Sequence, residues 1–127
     1  MSAIADLKVK IFADGAHIAG MKEMYANPVS KGVTTNPTLM RKAGVTDYAA
    51  FARVSVAAIP DRPISFEVFS DEFDEMERQA KIIAAWGDHV YVKLPVTNTQ
   101  RESSAPLVAR LARAGVRLNV TAVMTLV

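Results

Sequence analysis

No cysteine occurs in the 127-residue chain, which excludes disulfides and thiol nucleophiles. Histidine is nearly as scarce. His17 and His89 are the only two, no third ligand stands at a sensible spacing, and a metal centre is not expected. The chain also lacks a strong charge of one sign. Its net charge is +2, the longest basic stretch is the pair Arg41-Lys42, and no basic patch is interleaved with aromatics. Nucleic-acid binding is therefore not expected. Walker and dinucleotide glycine patterns are absent. The longest apolar-rich run falls far short of the ~18 residues a membrane span needs. Met1-Ser2-Ala3-Ile4-Ala5 leads into mixed polar sequence rather than a cleavable signal. These absences point to a soluble cytoplasmic protein. Half of the residues are hydrophobic and 22% are charged, enough for one globular domain over residues 1–127 with a single core.

What is present alternates between two periods. Val9–Asp14 reads as a strand, and Gly15-Ala16 opens a helix to Tyr25 with Ile18, Met21 and Tyr25 on one stripe. Gly32–Asn36 is a second strand, ended by Pro37, which starts a short helical turn. A helix runs from Asp47 to Ile59. Ile64–Phe69 is a third strand, followed by a helix capped by Ser70 or Asp71 with the stripe Phe73, Met76, Ala80 and Ile83. Val90–Leu94 is a fourth strand, Arg101–Ala114 a helix closed by Gly115, and Val116–Val123 a fifth strand. Such alternation predicts a mostly parallel sheet covered by helices. Met21, Met24, Met40, Met76 and Met124 read as core filling, and Arg110, Arg113 and Arg117 as a solvated face.

Side chains alternate across a strand, and here the alternation has one parity. Asp14, Thr34 with Asn36, Glu67, Lys93, and Asn119 with Thr121 stand near strand C-terminal ends, opposite apolar neighbours. A barrel satisfies this pattern, because its apolar strand faces meet outer helices while polar ends gather where barrel sites lie. In a doubly wound sheet both faces meet helices. Each residue also has an ordinary reading. Lys93 can snorkel to water, Asp14 can cap a helix, and Asn36 before Pro37 can serve a turn. Asn119 and Thr121 can be satisfied interior polar groups.

The segment Gly32-Val33-Thr34-Thr35-Asn36-Pro37-Thr38-Leu39-Met40 resembles the transaldolase signature. Phe12-Ala13-Asp14, Phe66-Glu67-Val68, Val92-Lys93-Leu94-Pro95 and Asn119-Val120-Thr121 are similar to that family's other motifs, in the same order. The resemblance implies a (β/α)8 barrel, a TIM barrel, that performs metal-free and cofactor-free aldol chemistry. In it, Lys93 forms a Schiff base, Asp14 handles the hydroxyl proton, and Glu67 with Thr121 positions a water. Thr34, Asn36 and Asn119 bind substrate hydroxyls. The implied substrates are sugar phosphates of the pentose phosphate pathway. Related fructose-6-phosphate aldolases usually carry Gln at the Glu67 position and lack the Asn at 119, which places this chain nearer transaldolases.

Length is the departure. A (β/α)8 barrel usually takes ~200 residues or more, and only about five βα units are legible here. The family's phosphate-holding serine and arginines belong to later strands and have no counterpart. The expectation is therefore a partial barrel, an N-terminal portion completed by a complementing C-terminal segment or by homo-oligomerisation, and catalytically silent alone. A receiver domain with a phosphoacceptor aspartate is the other reading. It requires an Asp at the end of the third strand, where this chain has Glu67.

Overall fold

The structure, a computed structural model, describes residues 4 and 6–126. Its elements run β1 (Ile11–Asp14), α1 (Ile18–Ala26), β2 (Ser30–Thr34), α2 (Pro37–Lys42), α3 (Tyr48–Ala58), β3 (Ile64–Glu67), α4 (Phe73–Ala84), β4 (Val90–Pro95), α5 (Ala105–Arg113) and β5 (Leu118–Thr121). They fall into two compact units, Met1–Ile64 and Ser65–Val127.

In the first unit β1 pairs parallel with β2. The other edge of β2 is occupied by the chain just ahead of β3, since the Val33 N–H donates to the Pro63 carbonyl at 2.9 Å. A receiver domain would leave β2 at the sheet edge, so this pairing contradicts that reading. Gly32 is required here. A Cβ at that position would lie 2.7 Å from both the Phe12 ring and the Pro63 carbonyl oxygen. Asn36 and Asp47 cap α2 and α3 through side-chain oxygens that accept from Leu39 N and Ala50 N, each at 2.9 Å. Met21, Val33, Met40, Ala52 and Ile59 are buried. Below them Arg62 binds the Tyr25, Asn27 and Ser30 carbonyls and lies over the Tyr25 ring, 4.6 Å from its centroid. The Tyr25 hydroxyl donates to Asp61 at 2.6 Å, a bond that raises the phenol above its ordinary pKa, with desolvation adding to the rise.

In the second unit the strand order is β3-β4-β5, with β4 and β5 parallel. Strand β4 alternates cleanly: Val90, Val92 and Leu94 are buried, while Tyr91, Lys93 and Pro95 are partly exposed. Helix α4 buries Met76, Ala80 and Ile83, as its apolar stripe predicts, and α5 buries Leu107 and Leu111. Phe66 packs edge-on against Trp86, with ring centroids 5.4 Å apart. Sequential neighbours and parallel βα connections make this a partial (β/α) barrel containing five strands.

Several boundaries differ from expectation, each for a physical reason. Gly15 does not open α1, because its N–H donates to the Thr34 carbonyl at 3.0 Å and extends the β1–β2 ladder. Neither Ser70 nor Asp71 caps α4. Glu72 holds that position, while Ser70 Oγ accepts from Glu72 N at 3.0 Å in a tight turn. Helix α5 starts at Ala105 rather than Arg101. Asn98 Oδ1 takes the N–H groups of Gln100 and Glu102 at 3.0 and 2.9 Å in a turn, and Arg101 sits there at φ 65°, which is incompatible with helix. Among the methionines, Met24 and Met124 are exposed rather than core filling. Arg110 is more than a solvated group, since it pairs with Glu77 of α4 at 2.9 Å.

Candidate active site

Each unit brings together part of the expected site. In the first, Asp14 and Thr34 are register partners at the ends of β1 and β2, and Thr34 Oγ1 donates to Asp14 Oδ1 at 2.9 Å. Asp14 therefore does not act as a helix cap. The α1 cap position belongs to His17, whose side chain makes no capping bond. Asn36 takes the ordinary role: its side-chain oxygen caps α2. That bond orients the carboxamide, so the group remaining to address a ligand is the NH2 donor.

The second unit carries four of the expected residues on one sheet face. Lys93 and Asn119 are register partners, as are Pro95 and Thr121, and partners in a parallel ladder share a face. Lys93 Nζ lies 3.7 Å from Glu67 Oε2, with side-chain exposures of 12% and 23%. Wholly buried Val92 and Leu94 flank Lys93 in the chain, so its stem is fixed and only its head reaches the polar face. Asn119 Nδ2 donates to Ser65 Oγ at 3.3 Å, which places Ser65 on the same face as Glu67 two residues on. Ser65 is buried. It was legible as a polar residue of the right parity, but nothing in sequence pairs it with Asn119. Immediately after Thr121, Ala122 adopts φ 59°, turning the chain sharply away from β5.

A paired amine and carboxylate on a partly exposed face can support carbonyl chemistry. The amine supplies a nucleophile once neutral, and the carboxylate can move protons through water. Among the described residues no group of three or more His, Cys, Asp or Glu side chains gathers to hold a metal ion. No helix among them is long and apolar enough to cross a membrane.

Parallel βα units with polar groups on the C-terminal strand ends define the class, a (β/α) barrel protein with the site placement typical of that fold. Residues 11–127 match the transaldolase/fructose-6-phosphate aldolase family, and the chain belongs to that family. It is 37% identical over 113 residues to a "Probable transaldolase" of Dehalococcoides mccartyi, covering 89% of this chain and 50% of that protein. It is 35% identical over 119 residues to a "Probable transaldolase 2" of Listeria monocytogenes, covering 92% of this chain and 51% of the relative. The chain thus spans about half the length of the curated relatives it matches.

Proposed function

We propose that the protein carrying this chain transfers a dihydroxyacetone unit from a ketose phosphate to an aldose phosphate through a Schiff base on Lys93. The observation that supports this reading most directly is the Lys93–Glu67 pair, 3.7 Å apart on one sheet face with Asn119 as the neighbour of Lys93. The neutral Lys93 amine adds to the ketose carbonyl carbon, and the carbonyl electrons become the carbinolamine hydroxyl after protonation. Glu67, with Thr121 holding a water, passes a proton to that hydroxyl, which leaves as water and gives the iminium. Asp14 takes the proton of the hydroxyl beyond the scissile bond. That carbon–carbon bond breaks, an aldehyde departs, and the electron pair moves into the iminium to form an enamine on Lys93. An incoming aldehyde is attacked by the enamine, receives its proton from Asp14, and hydrolysis frees the amine. Thr34, Asn36 and Asn119 bind hydroxyls. Ping-pong kinetics follow from the covalent intermediate.

In this reading the substrates belong to carbohydrate metabolism, in the pentose phosphate pathway of the cytoplasm, and no cofactor takes part. Borohydride added with fructose 6-phosphate to the full-length protein should fix substrate mass on Lys93, and Lys93→Arg should take up none. An unmodified Lys93 in folded protein would sink the mechanism. The family description also names fructose-6-phosphate aldolase. Transfer that requires an aldose phosphate acceptor fits a transaldolase, whereas steady release of free dihydroxyacetone without acceptor fits the aldolase. Glu67 and Asn119 favour the former.

A further inference from the structure

The two loops that follow β3 and β4 are fastened to each other by Asp71. Its carboxylate accepts twice from one residue: Thr99 N donates to Oδ1 at 2.8 Å and Thr99 Oγ1 donates to Oδ2 at 2.5 Å. Thr99's hydroxyl, then its amide, hold this carboxyl below its ordinary pKa, so it is ionised at neutral pH. Each loop is hydrogen-bonded further on its own side of the clasp. Behind Asp71, Gln79 Oε1 of α4 accepts from Phe69 N at 2.7 Å and Ser70 N at 3.3 Å. Behind Thr99, the Asn98 carboxamide organises the turn, and Ser104 returns to the Val96 carbonyl at 2.9 Å.

Position gives this clasp its meaning. Asp71 follows Glu67 in the first loop beyond β3, and Thr99 follows Lys93 in the first loop beyond β4. Loops at this end of the strands are the walls of barrel sites. A bidentate charge-assisted bond between two such walls fixes their separation more tightly than a neutral contact would. Neither residue belongs to the strand face that carries Lys93 and Glu67.

We infer that Asp71 is a positioning residue, which sets the wall between the β3 and β4 loops and thereby the binding of the ketose, on the reading of Lys93 given above. A residue of this kind changes ground-state and transition-state binding alike, so its loss appears in KM and not in kcat. In the full-length protein, Asp71→Ala should raise KM for fructose 6-phosphate at least fivefold with kcat within twofold. It should also speed hydrogen exchange at the Thr99 amide. Asp71→Asn, which keeps one acceptor, should recover part of the KM. Thr99→Val, which keeps the amide but not the hydroxyl, should fall between and serves as the test if Asp71→Ala does not fold. An unchanged KM together with faster exchange at Thr99 overturns the inference while leaving the Schiff-base reading intact. Failure of the wild-type protein to trap substrate on Lys93 overturns both.

Discussion

Asn36 shows how one side chain serves fold and site at once. Its carboxamide oxygen is spent on Leu39 N at 2.9 Å, so its NH2 is the end proposed to meet a substrate hydroxyl. The two roles separate by substitution. Asn36→Asp retains a capping oxygen and should leave the melting temperature nearly unchanged. Asn36→Ala removes the cap and should cost about 1 kcal/mol of stability. Both lose the donor, so both should raise KM by about tenfold, the loss of one hydrogen bond worth ~1.4 kcal/mol. Thermal melts beside steady-state kinetics check this, and an Asp variant with wild-type KM would remove Asn36 from the site. At this scale the placement of the candidate residues was legible where a residue's type and parity sufficed. Lys93, Glu67, Asn119 and Thr121 share the face their alternation predicts. The Asp71–Thr99 clasp was not legible, because no periodicity relates positions 28 residues apart in two irregular loops.

At the scale of elements, helix existence followed from stripes and caps, while helix ends followed from competition for backbone groups. Helix α3 ran as its sequence implies, from the Asp47 cap to Ile59. Helix α5 did not, because Arg101 takes a left-handed φ of 65° within a turn held by Asn98. The signal that marks its true start, Ser104 ahead of Pro106, was present in the chain. Helix α4 carries a further consequence. Arg78 donates to Glu75 at 2.6 Å, and this bond, with one from Gln79, lowers the Glu75 carboxyl to about 2. A depressed carboxyl contributes stability that is fully present above its unfolded value near 4.5 and is lost as pH falls toward about 2. The group is exposed, so the effect is small and screened by salt. Glu75→Gln should therefore flatten the acid limb of a melting-temperature titration between those values, and more so at low ionic strength. Parallel acid limbs for the two proteins at low salt would show that the pair contributes nothing.

For the whole molecule, the decisive quantity is apolar surface in relation to length. The βα order was legible because parallel strands need crossover helices, and both units follow it. What the sequence pattern did not disclose was how far β5 would remain uncovered. Val120 is 37% exposed on the strand, and Val123, Met124 and Leu126 beyond it are more so. Among the described residues β5 has β4 as its one strand neighbour, leaving an outer row of N–H and C=O groups ready to pair. Relatives about twice as long supply a natural candidate for that edge: a segment equivalent to their second half. The 127 residues alone should consequently melt without a sharp transition, bind an apolar dye, and show no dihydroxyacetone transfer. Adding the second-half segment of a relative in trans should sharpen the melt, displace the dye and restore trapping at Lys93. A monomeric 127-residue chain that melts cooperatively and transfers dihydroxyacetone unaided would contradict this. It would require the phosphate to be held by residues of these two units, and the arginines to test first would be those nearest the strand ends.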